Sequence, residues 1–176
     1  MTRQEENMLI SKVILYNDHR AFEKLITIHQ NGIKNLLMKL LDFNGSDVDD
    51  LYQESCTKIY RNIKQFKGKS RFSTWVYRIT YNTFLNAHER KMRFKEIKEE
   101  FPKMKSVRTD SMHDMKIDVE RMISILRPEE KAAIQLSYIL GFSHKDIAHI
   151  MDCPVGTVKS LIKRGKDKLV NNFKYY

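Results

Sequence analysis

Apolar residues recur at intervals of three and four along most of this chain, which is the spacing of helices with one buried side. The clearest run extends from His19 to Leu41. Its apolar positions are Phe22, Leu25, Ile26, Ile33, Leu36, Leu37, Leu40 and Leu41. The pattern predicts an amphipathic helix over 19–41, which Asn44 and Gly45 end.

Two further helices are predicted in the first half of the chain. One opens at Ser46 or Asp47, either of which can cap the free amides. Its buried stripe is Val48, Leu51, Tyr52, Cys56, Ile59 and Ile63. The other follows a short loop around Lys67-Gly68-Lys69, and we expect its inner side at Phe72, Trp75, Val76, Ile79 and Thr83. These three helices could close one core.

The middle of the chain is polar and only weakly periodic, which is typical of a linker. It contains Pro102 and the stretch SVRTDSMHD. Beyond it, Pro128 suits the first position of a helix and Gly141 suits a left-handed helix end. The predicted fold is all-α, with two small helical domains (1–93 and 117–176) joined by a flexible linker (94–116).

The second domain carries a helix-turn-helix pattern. The run Ser143-His144-Lys145-Asp146 is a capping box, Asp152-Cys153-Pro154 makes a turn, and a helix follows from Val155 to about Val170. We expect Val155, Val158, Ile162 and Leu169 to face inward. The outward side presents hydroxyls and cations, which suit the base edges and phosphates of a DNA major groove.

The charge of the chain is concentrated in a few segments. The formal net charge is +10. Residues 61–95 hold ten Lys or Arg against one acid, and residues 155–174 hold six against one. In the first basic segment the cations alternate with aromatic residues, a combination that favours unpaired nucleic acid. Five acids and no base lie between Asp42 and Glu54, a poor surface for DNA that suits a basic protein partner.

The remaining features limit the chemistry. The N-terminal residues lack a signal-peptide pattern and no stretch is long and apolar enough to cross a membrane, so we expect a cytoplasmic protein without membrane insertion. Cys56 and Cys153 are expected to be buried thiols. His144, His149 and Cys153 do not have metal-ligand spacing, because the two histidines lie on different sides of a helix. We predict no metal, no cofactor and no catalytic residue.

Two segments resemble a known family. The segment LRPEEKAAIQLSYILGFSHKDIAHIMDCPVGTVKSLIKRGKDKL is similar to region 4 of extracytoplasmic-function sigma factors of bacterial RNA polymerase. The resemblance implies that residues of the last helix bind the minus-35 promoter element. They are Val155, Gly156, Thr157, Lys159, Ser160, Lys163, Arg164 and Lys166. Leu161 and Gly165 depart from the family, which often has Arg and Ala there.

The segment DVDDLYQESCTKIYRNIKQFKGKSRFSTWVYRITYNTFLNAHERKMR resembles sigma region 2. The implied minus-10 residues are Lys69, Ser70, Arg71, Tyr77, Arg78, Tyr81, Asn82 and Asn86, with Asn86 in place of a frequent Asp. The implied docking residues for the clamp of the largest polymerase subunit are Asp47, Asp49, Asp50, Gln53 and Glu54. The family also implies an anti-sigma factor as a partner, in some cases a membrane-anchored one.

The resemblance therefore predicts a non-enzymatic sigma factor whose partners are core RNA polymerase and promoter DNA. Two other functions fit the charge and the helix-turn-helix less completely. A conventional repressor or activator would bind duplex operators and use its first domain for sensing. A general RNA-binding protein would leave the helix-turn-helix unused.

Overall fold

The computed structural model describes residues 2–41, 45–98 and 123–173. The helices are α1 (Arg3–Tyr16), α2 (His19–Leu40), α3 (Gly45–Asn62), α4 (Phe72–Lys98), α5 (Pro128–Ile134), α6 (His144–Met151) and α7 (Val155–Phe173). A 3₁₀ turn at Ile63–Gln65 follows α3, and a π-helical turn at Gln135–Ile139 continues α5. No strand occurs among these residues, which confirms the all-α prediction.

Helices α1 to α4 pack around one core, and the predicted stripes of α2 to α4 supply most of it. Leu25, Ile33 and Leu36 of α2 are fully buried, as are Ile59 of α3 and Val76 of α4. Helix α3 begins at Gly45, so Ser46 and Asp47 lie within its first turn and do not precede it. The predicted end of α2 at Asn44 lies outside the described residues.

Helix α1 was not predicted from the sequence. Thr2 caps it: its Oγ1 accepts from the Glu5 amide at 3.2 Å, while Glu5 Oε2 accepts from the Thr2 amide at 2.7 Å. Only Ile10 and Val13 of this helix are buried.

The second half of the described chain, residues 123–173, is a helix-turn-helix (α6 and α7) supported by α5. Pro128 occupies the first turn of α5, and Gly141 has a φ of +68°, so both predicted helix ends are confirmed. Ser143 Oγ accepts from the Asp146 amide at 3.2 Å, and the Asp146 carboxylate accepts from the Ser143 hydroxyl. Asp152 ends α6 in the left-handed region, with a φ of 54°. The predicted turn before α7 is therefore confirmed.

The two halves are packed against each other. Helix α4 lies along α6, α2 approaches α5, and the buried side chains of both halves form one continuous cluster. The predicted linker 94–116 lies outside the described residues from 99 onward, and the division at 93 and 117 stays a prediction. The packing of α4 against α6 decides which predicted site residues are accessible.

Candidate nucleic-acid and partner-binding surfaces

Helix α7 presents its predicted DNA-binding residues to solvent. All eight, from Val155 to Lys166, are exposed. The opposite side of the helix is buried and includes Val158 and Ile162. Val155 is 36% exposed, so the expectation that it faces inward was wrong. The exposed side is a continuous surface of hydroxyls and cations that can lie against nucleic acid, which we call the recognition face.

The two departures from the family pattern in α7 are buried positions. Leu161 is only 8% exposed, and Gly165 packs against α5, where a Cβ would lie 2.6 Å from Ile134 Cδ1. Gly165 therefore belongs to the contact between α5 and α7, Leu161 belongs to the buried core, and neither lies on the recognition face.

The loop before α4 and the start of α4 form a cavity with α1. Its volume is about 400 Å³, and its walls include Ser70, Arg71, Phe66 and His29. Phe66, Phe72 and Trp75 stack beneath the loop, with ring centroids 5.4 to 5.7 Å apart. The inward placement predicted for Phe72 and Trp75 is confirmed. Lys69 and Arg71 of this loop are exposed, so the loop combines cations with the aromatic rings beneath it.

Further along α4, the predicted minus-10 residues divide into two sets. Asn82 and Asn86 are exposed. Tyr77 and Tyr81 are 4% and 2% exposed, because the second half covers them. Burial raises the pKa of Tyr77 to about 12, and burial also raises the pKa of Tyr81. Neither tyrosine ring can contact a nucleobase while it is covered.

Polar and aromatic contacts join α4 to the second half. Arg78 Nη2 donates to Asp152 Oδ1 at 3.0 Å, and Thr74 Oγ1 donates to Asp146 Oδ1 at 3.2 Å. The Tyr77 ring meets the Phe142 ring edge to face, with centroids 5.1 Å apart. Arg78, a predicted DNA-binding residue, is therefore engaged within the protein. We refer to this arrangement of α4 against α6 as the closed arrangement.

A second cavity lies between the halves at this contact. Its volume is about 460 Å³, and His29, Arg71, Tyr77, Phe142 and Asp146 are among its walls. The His29 Nε2 atom is buried and has no hydrogen-bond partner in the described part of the chain. Burial lowers the pKa of His29, so the imidazole favours its neutral form. No sequence pattern had singled out His29.

The predicted polymerase-docking residues share the exposed side of α3. Asp49 pairs with Lys34 at 2.7 Å, Asp47 pairs with Lys91 at 3.2 Å, and Glu54 Oε1 is 2.8 Å from Lys58 Nζ. Such ion pairs are partly exposed and contribute little to stability, so a basic partner can replace them. Asp50 and Gln53 are exposed.

An apolar groove of about 410 Å³ runs beside these carboxylates. Its lining side chains come from α2, α3, α4 and the start of α5, and they are Leu40, Leu41, Asp47, Asp50, Leu51, Ala87, His88, Lys91, Met92 and Pro128. The combination of an apolar floor and acidic rim matches an amphipathic helix that carries basic residues.

Within the described ranges, no group of three His, Cys, Asp or Glu side chains is placed to hold a metal ion. Cys56 and Cys153 are free and half-buried, and burial raises the pKa of both thiols. None of the helices in these ranges has the length and apolar character needed to span a bilayer.

Two family models match the chain. Sigma-70 region 2 matches residues 25–94, and Sigma-70, region 4 matches residues 116–169. The ECF RNA polymerase sigma-E factor of Haemophilus influenzae is 35% identical over 185 aligned residues, which cover 97% of each chain. The corresponding factor of Escherichia coli K12 is 31% identical and covers 97% of this chain and 96% of its own length.

Solved structures share the fold. The sigma factor RpoE from Bartonella quintana, in complex with the anti-sigma factor NepR, matches with a TM-score of 0.73 and 22% identity, over 87% of this chain and 96% of its own. CnrH, in complex with the cytosolic domain of CnrY, matches with a TM-score of 0.73 and 19% identity, over 97% and 98%.

A helical fold with matches to sigma regions 2 and 4 defines a transcription factor of the sigma-70 class. The near full-length relatives are more specific, and the chain belongs to the extracytoplasmic-function family of RNA polymerase sigma factors. This family consists of transcription regulators. Membership of this family replaces the two alternatives considered from the sequence, a conventional repressor or activator and a general RNA-binding protein.

Proposed function

We propose that this sigma factor binds core RNA polymerase through α3 and reads promoter DNA through two separate surfaces. The observation that carries the proposal is the recognition face, whose eight predicted residues are all exposed on one helix of a helix-turn-helix. Lysine and arginine on such a helix can bind phosphates and guanine edges, while Thr157 and Ser160 can contact bases or backbone. This face reads the minus-35 element as a duplex.

The minus-10 element is read by the first half of the chain. Ser70 and Arg71 line the cavity beside the half-buried Phe66 ring, and Lys69 is exposed next to them in the same loop. An unpaired base can be held there between an aromatic ring and cations. Tyr77, Arg78, Tyr81, Asn82 and Asn86 extend this surface along α4. In the closed arrangement only part of this surface is accessible.

Promoter opening therefore requires the two halves to separate. The contacts that must break include the Arg78–Asp152 ion pair, the Thr74–Asp146 hydrogen bond and the packing of Tyr77 on Phe142. The division into domains 1–93 and 117–176, joined by residues 94–116, permits such a separation. Joining two weakly DNA-binding domains through one linker raises their combined affinity for the promoter.

Core polymerase supplies the docking partner for Asp47, Asp49, Asp50, Gln53 and Glu54. The acidic rim and the adjoining apolar groove support a basic, amphipathic element of the clamp as the occupant. The anti-sigma factor NepR in the complex with RpoE suggests that this chain also has such a partner, either soluble or membrane-anchored. Because its partners are polymerase and DNA, the chain acts in the cytoplasm.

Transcription with purified core polymerase from the same organism tests this function. The wild-type chain should direct initiation from a promoter of its own genome. Lys159→Ala and Lys163→Ala should each weaken promoter binding by about 1–3 kcal/mol where the lysine reads a base. The double variant Asp50→Lys/Glu54→Lys should abolish polymerase binding.

Two exposed residues of α2 provide matched controls. Lys24→Ala removes a charge and Glu23→Lys reverses one, both away from the proposed surfaces, and both variants should transcribe like the wild type. Normal transcription by both lysine variants would show that the recognition face does not bind the promoter. Retained polymerase binding by the charge-reversed α3 variant would remove the docking assignment.

A further inference from the structure

An exposed tyrosine lies beside the recognition face and is not one of its eight residues. Tyr138 belongs to the π-helical turn that continues α5 and is 57% exposed. The Leu140 amide donates to the Gln135 carbonyl across this turn at 3.1 Å. Gln135 and Leu136 of the turn are buried, whereas Tyr138 faces out. π-helical turns often occur at functional sites, which makes this ring a candidate for binding.

Tyr138 shares a cavity of about 240 Å³ with α7. The lining residues are Tyr138, His144, Lys159, Ile162, Lys163, Lys166 and Asp167. Three lysines against one aspartate give the cavity a net positive charge, which favours an anion. A major-groove helix brings its flanks close to the sugar-phosphate backbone, so the nearest anion in a duplex complex is a phosphate.

Tyr138 and Lys166 are already in contact. The Lys166 ammonium lies 5.7 Å from the centroid of the Tyr138 ring, within the range of a cation–π interaction. The ring thereby restricts the position of the ammonium group. A restricted cation loses less conformational entropy when it binds a phosphate. The phenol adds a neutral donor, since tyrosine hydroxyls also bind phosphate oxygens.

We propose that Tyr138 and Lys166 together bind one backbone phosphate of the duplex element that α7 reads. This inference rests on the proposed function of the recognition face. Tyr138 precedes α6 and is not part of the recognition helix, which favours a backbone contact over a base contact. Its contribution is therefore the same for all duplex sequences.

Binding of the full chain to a duplex tests this contact. The duplex is one that the wild-type chain has selected from a random-sequence pool, and binding is followed by fluorescence anisotropy at several salt concentrations. Tyr138→Phe keeps the ring under Lys166 and removes only the hydroxyl, so affinity should fall about two- to tenfold with an unchanged salt slope. Lys166→Ala should lower the salt slope by about 1, because one phosphate contact is lost.

The neighbouring residue gives the matched control. Ile139 is 65% exposed in the same turn and does not line the cavity, so Ile139→Ala should bind like the wild type. Each variant should keep the wild-type unfolding midpoint. Wild-type affinity for Tyr138→Phe would overturn the inference.

Duplexes with single uncharged linkages can identify the phosphate that the Tyr138 hydroxyl contacts. A series of duplexes is made in which single phosphates are replaced by methylphosphonates. At one position, and only there, the difference in affinity between Tyr138→Phe and the wild type should shrink, because a methyl group has replaced one of the two acceptor oxygens and removed the charge. Coupling at no position, or a changed base preference of Tyr138→Phe in the random pool, would contradict a phosphate contact.

The outcomes separate the two proposals. If Lys159→Ala and Lys163→Ala weaken duplex binding but Tyr138→Phe does not, only the Tyr138 contact is wrong. If all three variants bind like the wild type, the recognition face itself is misassigned. Inhibition by inorganic phosphate that is equal for the wild type and Tyr138→Phe would mean that the hydroxyl binds no phosphate, which also overturns the inference.

Discussion

At the scale of single residues, Gly32 shows how closely the elements approach. It lies inside α2, where glycine costs about 1 kcal/mol relative to alanine. A Cβ at this position would lie 1.9 Å from Tyr77 Oη of α4 and 3.2 Å from Leu140 Cδ2 of the second half. The absence of a side chain therefore lets α2, α4 and the second half meet at one point.

Gly32→Ala should destabilise the protein despite the better helix propensity of alanine. Displacing the Tyr77 ring is an overpacking change, which typically costs about 1–3 kcal/mol. Urea unfolding followed by circular dichroism measures the difference. Adding Tyr77→Phe to Gly32→Ala removes the nearest atom, so the double variant should recover part of the loss.

Gly156→Ala is the control for this prediction. Gly156 lies in the first turn of α7, and no atom lies within 4 Å of a Cβ built there. Its replacement should leave stability unchanged or raise it by up to about 1 kcal/mol. A Gly32→Ala variant as stable as Gly156→Ala would show that the Tyr77 hydroxyl moves aside without lowering the free energy of unfolding.

At the scale of helices, the sequence predicts those elements whose apolar residues fall on one side. The stripes of α2 and α3 are regular, and most of their buried residues are the predicted ones, whereas Ala21 and Ser55 are buried without having been predicted. Helix α1 was missed because its apolar residues surround it. Met8 and Leu15 are exposed, whereas Ile10 and Val13 are buried, so no single side is marked.

The candidate site was predictable to the extent that it is local. The recognition face follows from the spacing within one helix, and its residues are exposed as expected. The covering of Tyr77 and Tyr81 was not predictable. It depends on contacts such as Arg78–Asp152 and Thr74–Asp146, whose partners are 74 and 72 positions apart. The spacing of residues within one helix does not predict which residues of a distant helix pack over that helix.

Helix α5 depends on one buried carboxylate. Glu130 is 1% exposed, and its Oε2 accepts from Lys168 Nζ at 2.6 Å and from the Arg127 amide at 3.0 Å. Burial raises the pKa of this carboxyl, but the Lys168 and Arg127 contacts lower it by more, and the net direction is downward. The carboxylate thus caps α5 and joins it to α7.

Glu130→Gln should destabilise the protein near neutral pH by about 1.5–3 kcal/mol, the usual contribution of a hydrogen bond to a charged group. The folded-state pKa lies below the unfolded one. The stabilisation is therefore complete above the unfolded pKa and is lost as pH falls through the folded pKa. Urea unfolding of wild type and variant should give curves that converge on acidification.

The neighbouring carboxylate tests whether burial matters. Glu129 is exposed in the same turn, and Glu129→Gln should change stability by less than about 0.5 kcal/mol at every pH. A stability difference between wild type and Glu130→Gln that stayed constant with pH would contradict the lowered pKa.

At the scale of the whole molecule, the closed arrangement has opposite consequences for the two proposed DNA-binding surfaces. The recognition face of α7 is exposed in it, whereas Tyr77 and Tyr81 are covered and Arg78 is paired with Asp152. The proposed function therefore predicts that the free chain binds duplex DNA before it binds an unpaired strand. Separation of the halves by polymerase would place strand binding after docking, when the promoter is ready to open.

The Arg78–Asp152 ion pair allows this order to be tested, because it can be broken from either end. Asp152→Asn keeps a residue that tolerates the left-handed φ of 54° and removes only the charge. The pair is partly exposed and contributes about 0.2–1 kcal/mol, so its loss should raise the population of open molecules up to about fivefold. Arg78→Ala should open the chain to a similar extent.

The two variants should differ in strand binding. Asp152→Asn frees Arg78 and should tighten binding of the isolated chain to a single-stranded minus-10 oligonucleotide, while Arg78→Ala removes a strand contact and should weaken it. Small-angle scattering reports the opening, and anisotropy reports the binding. Glu23→Gln, an equal change of charge on the exposed side of α2, should alter neither. If Asp152→Asn bound the oligonucleotide no better than Glu23→Gln, the ion pair would not control access to α4.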